Sequence, residues 1–418
     1  MTNPKWPVRG SRVGIIGGSI AGCAAAIALT RLGCDVQVFE RSSGHLRGRG
    51  SGIAIPIALL NELIDAGYLP ADHAYCLMNE RRWILADETP SGRLLWAQPA
   101  PAANNNWGIL WRSLRAGVAD DRYHDGVTLT EFKEDADGVT AVFDHGAPQR
   151  FDLLVGADGY RSVVRQQIMP EAKEEYAGYI LWRGNFPETR LRHHDAFDHG
   201  THADAGYYIC FNGGHGVIYM IPNFDGRTDP GHRRVNWAVY TTPPAGLDFS
   251  EPTSIPPGDV TPELYQHLDA LLTSSFPPTY EAVIRESPLE EVSIQPIYDD
   301  LAKSYVHGRV LLIGDASTVT RPHTGSGATK ALQDALCLAR LGQTCEQWPE
   351  LLAGYNAERP AAGGALVRLG RRLGHDQVDH TPNWAAMTAC DFETWTRQTL
   401  SGERLYFYAN AAEPLHGC

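Results

Sequence analysis

The feature that most constrains this chain lies near its start. A short apolar run, Arg12 to Ile16, is followed by Gly17-Gly18-Ser19-Ile20-Ala21-Gly22, an Ala-rich stretch to Leu32, and a second apolar run, Asp35 to Phe39, ending at Glu40. Period and length predict a strand, a helix over Ser19 to Leu32 and a second strand. Such a βαβ unit commits its domain to a parallel sheet with helices on the faces. Gly17 permits the tight turn and Gly22 the close packing of helix on sheet. The first N–H groups of the helix, over Gly18, Ser19, Ile20 and Ala21, have no intrahelical acceptors and suit a pyrophosphate. Glu40 is placed to accept hydrogen bonds from ribose hydroxyls. Ser19 stands where such turns usually carry their middle glycine. The pattern asks for a dinucleotide without saying which.

Two more apolar runs, Phe151 to Val155 and Arg309 to Ile313, each lead into an Asp-containing turn, Gly156-Ala157-Asp158-Gly159 and Gly314-Asp315. A parallel sheet keeps its ligand crevice at the carboxyl ends of its strands, so three such ends can converge on one long ligand. From Tyr179 to Ile297 the texture changes. Alternating runs at Tyr207 to Phe211, Val217 to Ile221 and Val235 to Tyr240 predict an antiparallel sheet, with a Pro-rich loop at Pro243 to Pro257 and an amphipathic helix at Pro262 to Ser275. After Gly325 the pattern is helical through Leu341. The expected fold is α/β (α+β), with a Rossmann-like domain over 1–77, 100–177 and 290–375. A mostly antiparallel β-sheet domain over 78–99 and 178–289 is inserted in it, and 376–418 forms a C-terminal helical tail.

The stretch Leu312-Ile313-Gly314-Asp315-Ala316, then Arg321-Pro322-His323-Thr324-Gly325-Ser326-Gly327-Ala328 and Asp334, resembles the FAD-dependent aromatic hydroxylases of the para-hydroxybenzoate hydroxylase class. The resemblance implies non-covalent FAD, with Asp315 on the ribityl chain and the backbone amides of Pro322 to Ala328 against the flavin ring. A helix N-terminus aimed there would stabilise negative charge on reduced flavin. The segment around Asp158 resembles the family's Asp-Gly fingerprint for FAD and NAD(P)H, although Asp158-Gly159 and Ser162 also suit an ordinary turn and helix cap. Arg112 matches a family arginine that meets the ribityl or phosphate groups. Arg41, Arg47 and Arg49, after the second strand, are further cofactor candidates or exposed loop charges. Tyr176 to Gly184, Arg321-Pro322-His323 and the Gly17-Gly18-Ser19 variant are similar to the 2,6-dihydroxypyridine hydroxylase branch.

The resemblance further implies NADH or NADPH as transient reductant and O2 as co-substrate. Reduced flavin captures oxygen as a hydroperoxide, whose distal oxygen passes to an electron-rich phenol or hydroxypyridine ring. The protein must hold the ring, exclude water and help a ring proton leave. His323 is the first catalytic candidate, since it sits in the loop expected beside the flavin and has a side chain that titrates near neutrality. Tyr219 and His215, on and beside one sheet strand, come next. Trp182, Arg183 and Trp237 are candidates for the substrate wall, with packing roles equally open. An epoxidase or reductase on the same fold, or a non-catalytic FAD-binding redox sensor, are the alternatives. No Trp-x-Trp-x-Ile-Pro segment supports a halogenase.

Composition agrees with small-molecule chemistry. A net charge of -13 opposes binding to nucleic acid or an anionic membrane surface. The 8 cysteines form no C-x-x-C pair, which argues against a zinc site or disulfide framework and for reduced thiols in a cytoplasmic protein. No metal is called for. No apolar run approaches the roughly 20 residues of a membrane span. A homodimer is left open.

Overall fold

The computed structural model describes residues 6–44, 46, 51–192, 204–249 and 253–400. Arg47 and Arg49 lie outside them. The βαβ unit forms as read, with strands Arg12–Ile16 and Asp35–Glu40 and a helix Ile20–Arg31 for which Ser19 is the N-cap. The two strands pair in parallel, Val13 with Val36 and Ile15 with Val38. Leu153–Gly156 and Val310–Leu312 extend the sheet on one side and Tyr123–Asp125 on the other, with Val306–His307 as an antiparallel edge. Near-continuous apolar strands suit burial on both faces. The Ala-rich helix can lie close to the sheet and to helix Gly327–Gly342 because its small side chains hold the axes near each other. Ala24, Ala25 and Ala28 are fully buried.

A second sheet has eight strands, in the order Ser293–Asp299, Glu175–Pro187, Arg234–Thr241, Gly214–Ile221, Ala205–Phe211, Cys76–Leu85, Arg93–Asn106 and Gly52–Pro56. All neighbours are antiparallel except Ala205–Phe211 with Cys76–Leu85. This sheet reaches beyond the segments expected for it. Gly52–Pro56 and Ser293–Asp299, both assigned by sequence to the nucleotide-binding part, pair into its two edges. A separate three-stranded sheet, 129–151, was not foreseen.

Alternation gives the large sheet two unlike faces. One carries Ile180, Trp182, Phe186, Ile218, Val235 and Trp237 into a core closed by Leu268 and Leu272 of helix Pro262–Ser275 and Val283 and Ile284 of helix Pro278–Arg285. Thr261 starts the longer of these helices, its hydroxyl accepting from the Leu264 N–H, with Pro262 at the first helical position. Burying each such large side chain contributes about 1.5–3 kcal/mol. The other face carries Leu181, Arg183, Tyr208, Val217, Tyr219 and Tyr240 toward the parallel sheet.

The C-terminal part is helical to the end of the described residues. The helix Trp348–Gly374 runs past an internal Pro360 and widens into a π-turn at His375–Asp379. Two further segments follow, Trp384–Ala386 and Ala389–Leu400. Among the described residues six cysteines are free, five of them buried, and burial pushes the thiols of Cys23, Cys34 and Cys76 up to about 12. Cys390 departs from the expectation of reduced thiols throughout, since it is disulfide-bonded.

Candidate active site

A cavity of about 900 Å³ runs from the carboxyl ends of the parallel strands to the polar face of the large sheet. At one end it meets Ser19, Ile20 and Ala21, the N-terminus of the first helix, together with Arg41. The glycines build this end from beneath. Gly17 has φ +101° and passes so close to the next strand's turn that a Cβ would lie 2.3 Å from the Ala157 carbonyl oxygen. A Cβ on Gly22 would lie 1.8 Å from the Gly17 carbonyl oxygen, so this glycine serves the turn more than the sheet. Ser19 has φ -83°, which any residue adopts, and that is why a side chain replaces the usual glycine.

Glu40 supports the same turn. One carboxylate oxygen accepts from the Gly18 N–H at 2.8 Å and the other from the Ser42 N–H at 2.9 Å. Trp111 and Tyr123 both donate to the Gly18 carbonyl, at 2.9 and 3.0 Å. Neither was singled out from sequence, because each lies about a hundred residues away on an element with no motif.

Asp315 follows strand Val310–Leu312 on a single turn, its carboxyl open to the cavity though deep in the molecule. Burial raises its pKa, with Lys330 and Arg165 opposing. Beneath it lies a buried charge cluster. Asp334 accepts from the Gly314 N–H at 3.0 Å and from Arg359 Nε at 2.6 Å, while the Lys330 ammonium donates to the Gly314 carbonyl. The next loop is tied down by Arg321, whose Nε donates to Asp299 at 2.6 Å, and turns at Gly325 with φ +62°. Helix Gly327–Gly342 then begins at the cavity wall, where a Cβ on Gly327 would meet nothing within 4 Å.

Asp158 is different. Its carboxylate caps its own helix, accepting from Ser162 Oγ at 2.5 Å and from the Val163 and Val164 N–H groups, and Ser162 in turn accepts from the Arg165 N–H. Asp158 itself acts as turn and cap and does not line the cavity, while its neighbours Ala157, Gly159 and Tyr160 do. Arg112 does not line it either; its guanidinium donates to the Phe224 carbonyl at 2.6 Å, at the rim.

At the opposite end His323 stacks on Tyr240, centroids 4.2 Å apart, and its Nε2 lies 2.8 Å from the Tyr179 hydroxyl. His215 stacks on the same Tyr240 ring at 4.5 Å. The expectation of a histidine titrating near neutrality fails. Burial, with His215 and Arg321 adding to it, holds His323 well below its usual pKa, and burial holds His215 down to about 3. Both imidazoles are neutral at neutral pH. Tyr219 faces the cavity, protonated because burial raises its pKa against the pull of Arg183. Trp182 does not line the cavity; as an even neighbour of Leu181 and Arg183 it points to the opposite, core face. Trp237 shares that core face, its indole N–H donating to Ser287 Oγ at 2.6 Å, yet it also reaches the wall beside Gly184.

Two contributions went unread. Tyr179 sat within the quoted segment Tyr176 to Gly184, but nothing local marked it over its neighbours. The tail, for which no role was read, closes the outer end with Gln377, Trp395, Thr396 and Thr399, Trp395 standing edge-on to Trp83 at 5.5 Å.

A profile described as an FAD binding domain matches residues 261–369, one described as FAD binding domain-like matches 176–299, and one for pyridine nucleotide-disulphide oxidoreductases matches 12–57. The 2,6-dihydroxypyridine 3-monooxygenase of Paenarthrobacter nicotinovorans is 30% identical over 341 residues, 79% of this chain and 82% of its own length. This chain belongs to the FAD-dependent aromatic hydroxylase family. A salicylate hydroxylase of Pseudomonas putida is 28% identical over 387 residues, 84% of this chain and 83% of its own. The solved structure of 2,6-dihydroxypyridine-3-hydroxylase from Arthrobacter nicotinovorans superposes with a TM-score of 0.78 at 26% identity, covering 90% of this chain and 95% of that one.

The protein is an FAD-dependent monooxygenase, and its cavity fits that cofactor. Two helix N-termini open onto one continuous space with Asp315 between them, and the bare Gly327 leaves room for a planar ring against backbone amides.

Proposed function

We propose that this hydroxylase uses NADH or NADPH and O2 to hydroxylate a small electron-rich ring of the phenol or hydroxypyridine type. The observation that carries the reading is the stack of His215, Tyr240 and His323 where the large sheet meets the loop Arg321 to Gly325. It offers a flat aromatic and hydrogen-bonding surface next to the place a flavin ring would occupy. The 2,6-dihydroxypyridine and salicylate enzymes among its relatives support a ring substrate.

Ser19 to Ala21 would hold the pyrophosphate, on a turn that Glu40 braces through the Gly18 N–H, Asp315 the ribityl hydroxyls and the start of helix Gly327–Gly342 the flavin ring. When bound, FAD supplies electron transfer from the nicotinamide and the activation of oxygen. The chain's own residues position and shield the ring. Tyr179 fixes the His323 ring through Nε2, and Arg321 reaches the same hydroxyl at 3.3 Å, so the imidazole presents a set orientation to a ring hydroxyl. As a neutral group, His323 accepts or relays a proton without storing one. Tyr219, Val217 and Trp395 exclude water around the reacting carbon. Asp158 and Arg112 stay outside this set of roles, as helix cap and rim contact. Among the described residues no helix is long and apolar enough to cross a membrane.

The test is a visible spectrum of the purified protein, then NAD(P)H oxidation under air across hydroxypyridines and phenols with product analysis. A yellow protein stimulated by one ring, with one oxygen atom added to it, supports the reading. A yellow protein that no ring stimulates overturns it.

A further inference from the structure

Strand Arg93–Asn106 ends in three consecutive asparagines, Asn104, Asn105 and Asn106, all of them buried. Two are committed to the fold. The Asn105 side-chain oxygen lies 2.7 Å from His73 Nε2, and its NH2 donates to the Ala103 carbonyl at 2.9 Å. Asn106 caps helix Trp107–Arg115, its oxygen accepting from the Gly108 N–H at 2.9 Å and its NH2 donating to the Pro222 carbonyl at 3.2 Å. Asn104 differs. It is 2% exposed, it lines the cavity, and its Oδ1 accepts from no donor among the described residues. Its register partners offer little: Ala54 on one side has no side-chain donor, and Cys76 on the other has only a thiol, a weak one. A buried carbonyl left without a hydrogen costs stability, and native folds keep such a group where a ligand or another function accounts for it. Ala54 and Met78, the latter paired with Ala102 two residues before Asn104, line the cavity beside it and form an apolar floor on which the flat face of a ring can rest.

We propose that Asn104 is a specificity-determining residue that accepts a hydrogen bond from the ring substrate, so that the molecule bound here carries an uncharged donor, a lactam N–H or a ring hydroxyl. This rests on the reading of the chain as a ring hydroxylase and narrows it. The terminal torsion of an amide is soft, so a small turn presents Oδ1 to a ring lying on the Ala54 and Met78 floor. A carbonyl oxygen favours a protonated group over an oxyanion. A site with a buried acceptor also rejects the analogue that lacks the hydrogen, because the acceptor is then left unmet. Asn105 and Asn106 are internal controls, being the same residue type at adjacent buried positions that do not line the cavity.

The FAD-loaded enzyme, without reductant, is titrated near neutral pH with two matched pairs, 2-pyridone against 1-methyl-2-pyridone and phenol against anisole, read by perturbation of the flavin absorbance. The wild type is expected to prefer the donor-bearing member of at least one pair, and the pair that responds tells a lactam N–H from a hydroxyl. In Asn104→Leu, a change of shape-matched size, that member binds roughly 5- to 100-fold more weakly, while its methylated analogue binds at least as well as before. Asn104→Asp keeps an acceptor oxygen in place and keeps part of the preference. Without ligand, N104L melts at or above the wild-type temperature, whereas Asn105→Leu and Asn106→Leu melt lower because each breaks bonds the fold uses. An N104L protein with the wild-type preference overturns the proposal. So does one whose preference is intact while FAD affinity or the rate of flavin reduction by NAD(P)H falls, since Asn104 would then face a cofactor. If N104L does not fold, a folded N104D protein with no preference left overturns it too. A wild type that binds these rings without preferring either donor overturns the role of Asn104 alone. A wild type that holds FAD yet binds none of the four compounds defeats the ring-hydroxylase reading itself, which is a distinct result.

Discussion

Replacing Asp334 with Asn removes one charge from the cluster beneath the Gly314-Asp315 turn and leaves its shape in place. Asp334 is fully buried, with Arg359 Nε at 2.6 Å, the Gly314 N–H at 3.0 Å and the Lys330 ammonium at 3.9 Å. In the variant Arg359 loses its anion and Lys330 keeps only the influence of Asp315, and breaking a buried pair from one side costs about 3–5 kcal/mol. The amide oxygen still accepts one hydrogen bond, which places D334N at the lower end of that range. Urea unfolding of the FAD-loaded protein should show the loss, and FAD affinity should fall as well because the turn carrying Asp315 is no longer held. Adding Lys330→Met to D334N removes one of these cations and should recover about 1–3 kcal/mol, a coupling that independent sites would not show. A D334N protein within about 1 kcal/mol of wild type, or a double variant with simply additive losses, would refute the view that this cluster is a balanced charge network.

Three further outcomes follow. His215 has its pKa lowered from 6.5 to about 3 by burial; the unfolded state therefore binds the proton more readily, and the stability this neutral histidine contributes is complete above 6.5 and falls as pH drops toward 3. The loss approaches about 1.4 kcal/mol per pH unit, and His215→Gln should flatten that slope in acid-dependent unfolding. Gly327→Ala meets open space and should leave the apoprotein's melting temperature unchanged while raising the FAD dissociation constant, whereas Gly22→Ala, whose Cβ would sit 1.8 Å from a carbonyl oxygen, should lose both stability and FAD. Trp182→Phe should cost about 1–2 kcal/mol in chemical denaturation and leave ring selectivity unaltered, since Trp182 packs in the core; altered selectivity with unchanged stability would contradict the face assignment.

The parallel sheet and its ligand end were legible because glycines at fixed offsets state backbone requirements: Gly17, Gly22 and Gly325 each sit where geometry admits little else. Asp315 was legible for the same reason, being fixed one residue after Gly314. The substrate end was harder. His323, His215 and Tyr219 do come together at the cavity, yet their protonation depends on how much protein surrounds them, and a linear sequence carries no measure of that. Trp182 and Arg183 were equal candidates by composition; only the register of Glu175–Pro187 against Arg234–Thr241 decides that one faces the core and the other the cavity. Tyr123 and Trp395 come from elements with no local motif, and nothing local marks Tyr179 or Trp111 over its neighbours, so only the fold brings them to the site.

The two faces of the large sheet give this enzyme two separable inheritances. Positions 181, 183, 217, 219, 238 and 240 touch whatever the cavity holds, while their alternate neighbours 180, 182, 218, 235 and 239 bear on the packing of the helices behind. A lineage can therefore exchange residues on the first set and acquire a new ring while leaving the packing of the helices behind the sheet untouched. Drift on the second set would be purged by unfolding long before it altered which molecule is oxidised.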